Sequence, residues 1–123
     1  MVIHQGDMVL ATFTYWTKEG YVMHNHPAFI VSTNRSILDT HRVWLIPAFR
    51  GKAVGFNGEA DVEVKMEECE GLKSDAHLSV NLFQCIPVSK VIKMIGHVDS
   101  DRALAEIKGK LLGQIGIKME SGV

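Results

Sequence analysis

The sequence predicts a small, mainly β barrel of five to six mostly antiparallel strands with one C-terminal α-helix. Short runs of β-branched, aromatic and aliphatic residues recur along the chain, several of them alternating apolar with polar at a period of two. Clusters of Gly, Pro, Asn and Asp separate these runs. After Asp99 the apolar spacing changes to three and four, the period of a helix. With 123 residues, 46% of them hydrophobic, there is material for one core, so residues 1–123 read as a single domain.

The run from Asp7 to Tyr15 opens the fold, with Val9, Ala11, Phe13 and Tyr15 on one face and Met8, Leu10, Thr12 and Thr14 on the other. Its second face is also partly apolar, which predicts cover on both sides. Trp16 to His26 reads as a polar loop around Lys18-Glu19-Gly20, and Pro27 to Ser32 as a central strand that starts at a proline. Thr33 to Thr40 reads as a loop, and Arg42 to Ile46 as a strand that Pro47 closes. Gly51, Gly55, Asn57 and Gly58 make a flexible excursion.

From Glu59 to Met66 the alternation is regular, with Ala60, Val62, Val64 and Met66 inward and Glu59, Asp61, Glu63 and Lys65 toward water. His77 to Phe83 should follow as a strand with Leu78, Val80 and Leu82 on the core side, and Val88 to Val98 as the last extended stretch. Asp99-Ser100 has the character of a helix N-cap, ahead of Leu104, Ile107, Leu111 and Ile115. Gly113 and Gly116 mark where that helix frays or stops.

The formal charge of −1 gives no global attraction to phosphate, so a nucleic-acid contact would need a local basic patch. Residues 59–75 are acidic and residues 90–118 mainly basic. Cys69 and Cys85 lack both a disulfide framework and zinc-knuckle spacing, and read as reduced structural thiols. No stretch reaches the ~20 apolar residues of a membrane span, and the N-terminus lacks a secretion signal; a cytoplasmic protein is expected. There is no Gly-rich phosphate loop, no Gly-x-Ser-x-Gly elbow and no Cys–His pair in sequence, which argues against kinase, serine-hydrolase and thiol-enzyme chemistry.

Three segments fall in the order and spacing of one family. Gln5-Gly6-Asp7-Met8-Val9-Leu10 resembles the opening Gly-Asp-apolar strand of the MazF/PemK toxins of bacterial toxin–antitoxin systems. His26-Pro27-Ala28-Phe29-Ile30-Val31-Ser32 is similar to their second-strand Arg-Pro-apolar-Leu-Val-Val motif. Ile95-Gly96-His97-Val98, the helix, and Gly113-Gln114-Ile115-Gly116-Ile117 resemble their closing Ile-Gly-Lys-Leu, helix and Leu-Gly-Leu tail.

The resemblance implies an SH3-like barrel of the CcdB/MazF type and a homodimer that inhibits growth by cutting single-stranded RNA, with no metal or other cofactor and with a small antitoxin as partner. In that family the ribose 2′-OH attacks the adjacent phosphate, leaving a cyclic phosphate and a free 5′-OH. An Arg in the second-strand motif and a Thr ending the third strand supply the main groups. Here His26 stands at the Arg, and Pro47-Ala48-Phe49-Arg50 puts Phe49 or Arg50 at the Thr, depending on a one-residue shift.

The replacements retain chemistry of their own. His26 titrates near neutrality and can act as base or acid, Arg50 can hold a phosphate, and His24 points the same way as His26 on an extended segment. His26, Arg50 and His24 are therefore the catalytic candidates. Trp16, Lys18, Lys52 and Gln84 are the RNA-binding candidates, Trp16 as a stacking platform and Gln84 as a match to a frequent family residue. The bland alternative for the histidines is that of exposed or hydrogen-bonded loop residues. His24-x-His26 could also begin a metal site with His4, His41, His77 or His97, but no further ligand follows at the needed spacing. Because both family catalytic positions are replaced, the second functional reading is a catalytically silent binding or regulatory module on the same barrel.

Overall fold

The computed structural model describes residues 2–51, 58 and 60–115. Among them are seven strands, β1 (Asp7–Thr17), β2 (Gly20–Ile30), β3 (Arg42–Arg50), β4 (Asp61–Val64), β5 (Ala76–Ser79), β6 (Gln84–Pro87) and β7 (Val91–His97). Two helices accompany them, α1 (Asn34–Thr40) and α2 (Asp101–Ile115). The strand path is β4-β5-β3-β2-β1-β7, with β6 paired to the start of β3, and every ladder is antiparallel. The mainly β fold with a C-terminal helix is the one the periodicities predict. β4 and β7 do not pair, and a single bridge between Cys69 and Val98 spans the gap between them.

β3 is the hub. Its first residues pair with β6, residues 45–47 pair with β2, and Ala48, Phe49 and Arg50 pair with β5. The chain thus passes from one sheet to the other within a single strand, which Pro47 does not end. Alternation in β1 feeds two cores, as the two apolar faces require. Met8 joins Phe29, Ile46, Val62, Leu78 and Ile107 beneath α2. Val9, Ala11 and Phe13 join Ala28, Ile30 and Leu45 on the other side.

Several boundaries differ from the expectation. Trp16 to His26 is no loop: β1 and β2 form one long hairpin from Met8↔Phe29 to Thr17↔Gly20, with Lys18 and Glu19 alone in the turn. Polar residues fill this ladder because its far end leaves the core, so burial does not select apolar side chains there. Thr33–Thr40 is helical, since the Thr33 hydroxyl accepts from Ser36 N–H at 3.2 Å and caps α1, a helix with no buried residue.

Ala60 and, in β4, Val62 and Val64 are buried as expected; Asp61 is buried too rather than facing water, and Met66 is 46% exposed because the strand ends at Val64 and a 3-10 turn follows. β5 stops at Ser79, and a 3-10 turn over Val80–Leu82 turns Leu82 outward. Gln84–Pro87 is then a separate strand on β3, which raises the count from five or six to seven. α2 begins as expected, with Ala103 N–H bonded to the Ser100 hydroxyl at 3.2 Å. Gly113 lies inside α2; Gly116, and the excursion from 52 to 57, lie outside the described residues.

Candidate functional site

β2 and β3 pair only over residues 28–30 and 45–47. Neither Pro27 nor Pro47 has an N–H with which to continue the ladder, so the strands part there. Between them opens a groove of about 570 Å³, lined by Leu10, His26, Pro27, Ala48, Phe49, Arg50, Leu72, Lys73, Ser74, Lys93, Met94 and Ile95, among others.

His26 sits opposite Ala11 in the hairpin and so shares a face with Phe13 and Tyr15. Their ring centroids lie 6.2 and 5.8 Å from its own, and His24 is 6.0 Å away. His24 is exposed and His26 half-buried. Burial pushes the His26 pKa below its ordinary 6.5, and the neighbouring His24 pushes it in the same direction. At pH 7 His26 is therefore neutral and offers a lone pair to a proton. The Tyr15 hydroxyl beside it is buried with no hydrogen bond among the described residues, and burial raises its pKa.

Phe49 packs against His26 at 4.9 Å and, on its other side, against His77 at 5.7 Å. His77 is only 2% exposed. Its Nδ1 donates to the Gly51 carbonyl, and Gly51 N–H bonds to the Asp75 carbonyl at 2.8 Å. The residue that follows Arg50 is thus tied down by two hydrogen bonds, one through its carbonyl and one through its N–H. Phe49 and Arg50 both line the groove, whichever of them matches the third-strand Thr.

Lys73, from the connection between β4 and β5, and Lys93, from β7, complete the cationic lining. Neither was singled out in the sequence. Lys73 is one of two cations in an acidic stretch, and Lys93 one of several on a basic one, so no local signal marks them; only the fold brings them together. His26, Arg50, Lys73 and Lys93 can together hold an anion and move a proton beside it.

The remaining candidates lie elsewhere. Trp16 is 72% exposed near the hairpin turn, edge-on to Tyr21 at 4.6 Å, with Lys18 in the turn itself. Gln84 donates from its side-chain amide to the Thr14 carbonyl at 3.0 Å. Lys52 lies outside the described residues. His24 adjoins His26 but does not line the groove. His4 and His97 gather instead around the buried Asp7, His97 Nδ1 at 2.8 Å and His4 Nδ1 at 3.8 Å from its carboxylate. Among the described residues no three His, Cys, Asp or Glu side chains are grouped to hold a metal ion.

No protein-family model and no curated protein sequence matches this chain. Solved structures do. MazF from Deinococcus radiodurans superposes with a TM-score of 0.74 at 19% identity, over 95% of this chain and 99% of that one. An endoribonuclease in complex with its cognate antitoxin, from a mycobacterial species, gives 0.73 at 14% identity, over 96% and 99%. The Mycobacterium tuberculosis toxin MazF-mt6 gives 0.70 at 14% identity, over 91% and 98%. Superposition over nearly the whole length of each chain, at identities too low to carry more than architecture, establishes that this protein has the fold of the MazF toxins.

Proposed function

We propose that this protein is a MazF-type toxin that cleaves single-stranded RNA by internal transfer, in the groove between β2 and β3. The observation that carries the reading is the meeting of a neutral imidazole and three cationic side chains in one groove, at the segments that resemble the family's catalytic ones. His26 Nε2 or Nδ1 takes the proton of the ribose 2′-OH as its oxygen attacks phosphorus. The P–O5′ bond then breaks, and His24 returns a proton to the departing 5′ oxygen. The products are a 2′,3′-cyclic phosphate and a 5′-OH. Arg50 faces the negative charge that builds on the phosphorane, the role of an oxyanion-stabilising group.

In this reading the hairpin turn, with Trp16 and Lys18, guides the unpaired strand by stacking, and the protein works as a homodimer held in check by a small antitoxin. Incubation with unstructured RNA in excess EDTA tests it. Cleavage to cyclic-phosphate ends that disappears in His26→Ala supports the reading; RNA that stays intact over a range of sequences refutes it.

A second reading has a specific observation behind it: His26 and Phe49-Arg50 stand where the family carries Arg and Thr. A silent module on this fold would bind RNA or a protein partner in the groove and leave it uncut. Growth arrest on induced expression separates the two, since only the nuclease reading predicts it.

A further inference from the structure

We propose that Lys73 and Lys93 form a phosphate clamp in the groove, gripping the backbone of a single-stranded nucleic acid beside the phosphate that reacts. The ligand class rests on the reading of the groove as an RNA site; the clamp itself rests on three further observations.

The first is unspent charge. Among the described residues neither Lys73, Lys93 nor Arg50 makes an ion pair or a side-chain hydrogen bond, whereas Arg35, Arg102 and Lys110 all do. Three like charges lining one groove repel each other unless an anion lies between them. The chain as a whole carries −1, so this concentration is local.

The second is the seam that brings the two lysines together. Gly71, at φ +97°, lies so close to β7 that a Cβ there would sit 2.1 Å from the Ile95 carbonyl oxygen. A Cβ on Gly96 would sit 1.8 Å from the Glu70 carbonyl oxygen. Two reciprocal contacts that only glycine permits press the connection after β4 against β7. Lys73 follows one of these glycines by two residues and Lys93 precedes the other by three.

The third is what lies across the seam. Gly71 and Ile95 also line a second groove, whose other walls carry Glu67, Glu68, Glu70 and Asp99. A polyanion cannot continue into it. The strand therefore ends or turns at Lys73 and Lys93, and its path leaves the groove on the side of the hairpin.

Binding of a single-stranded 2′-O-methyl oligoribonucleotide, which cannot be cut by its own 2′ oxygen, tests the clamp. Affinity is measured by fluorescence anisotropy between about 50 and 200 mM salt for the intact protein, Lys73→Gln/Lys93→Gln, and Lys90→Gln as an exposed control outside the groove. Each single-strand phosphate contact contributes about 0.7 to the slope of log affinity against log salt, so loss of two flattens it by about 1.4. Over that fourfold salt range the intact protein should lose about sevenfold more affinity than the double variant. Lys90→Gln should follow the intact protein, and Lys73→Arg/Lys93→Arg should keep the steep slope.

An unchanged slope in the double variant, an equal change in Lys90→Gln, tighter binding of a polyglutamate peptide, or no binding by the intact protein would each overturn the clamp. The nuclease reading is scored separately on natural RNA. A flattened slope with uncut RNA keeps the clamp and removes the enzyme; cut RNA with an unchanged slope does the reverse.

Discussion

Substituting the seam glycine Gly96 by Ala should cost about 3 kcal/mol, and the figure can be built from the contacts. The added methyl would lie 1.8 Å from the Glu70 carbonyl oxygen, where 3.0 Å is the practical minimum, so the backbones must separate by at least 3.0 − 1.8 = 1.2 Å. Overpacking of that size costs about 1–3 kcal/mol. The same opening strains the Cys69–Val98 bridge and the 2.7 Å bond from Asp99 N–H to the Glu68 carbonyl, each worth about 1 kcal/mol. For a domain of this size a loss of about 3 kcal/mol lowers the melting temperature by roughly 10 °C.

Two other glycines calibrate the number. Gly109, within α2, has nothing within 4 Å of its missing Cβ, so Gly109→Ala should add about 0.8–1.0 kcal/mol from helix propensity alone. Gly20, the first residue of β2 after the hairpin turn, at φ +111°, also has open space around it, and Gly20→Ala should cost only the backbone strain, about 1–2 kcal/mol. Circular-dichroism melts of the three variants give the ranking. Gly96→Ala melting within about 3 °C of the parent, or above Gly20→Ala, would refute the claim that close backbone approach holds this seam.

His24→Gln should raise the His26 midpoint in an NMR titration, because it removes one of the two causes of the depression, while burial still holds the midpoint below 6.5. Since folded His26 takes up its proton less readily than the unfolded chain, stability is full above about pH 6.5, falls as the pH drops below it, and levels once the native ring is charged. Burial opposes ionisation of Glu68, but the Ser100 hydroxyl, the Lys65 N–H and Arg102 outweigh it and lower its pKa. The stabilisation is present above about pH 4.5 and is lost as pH falls through the native value; Glu68→Ala should cost about 1.5–3 kcal/mol at pH 7 by urea unfolding and flatten that acid limb. His77→Leu strands the Gly51 carbonyl and should cost about 1–3 kcal/mol by the same assay, with weaker oligonucleotide binding as Arg50 loses its anchor.

The fold was legible where burial acts on every residue. Met8 to Phe13 is apolar on both faces because Met8 meets one core and Val9, Ala11 and Phe13 the other, and Ala60, Val62 and Val64 recur at a period of two because the face they share is buried. The same rule hid the second arm of the hairpin, since His24 and Asn25 carry no apolar signal, and their strand is recognisable only through its pairing partner. Pro27 and Pro47 illustrate the difference. Read singly, each marks the beginning or end of a strand; together in space they mark the place where two strands stop pairing and a groove begins. The chemistry was half legible. His26 and Arg50 flank those prolines and could be named from the chain, but Lys73 and Lys93 stand next to them only because Gly71 and Gly96 let two distant segments touch.

On the proposed reading His26 takes the place of the family's Arg on β2, and the fixed charge of the groove comes from Arg50, Lys73 and Lys93 on other elements. What β2 gains is a group that can accept a proton, which a permanently charged guanidinium cannot do. That gain separates the two functional readings by sign. As pH falls from 7 toward 5, protonation of His26 adds positive charge to the groove, so a pure binding module holds a polyanion more tightly. An enzyme that uses neutral His26 as its base loses that base over the same interval, and its rate falls while its affinity rises. Parallel measurement of cleavage and of binding to the uncleavable strand between those pH values therefore tests the histidine directly: a rate that rises together with affinity would remove His26 from the chemistry, whatever else the groove retains.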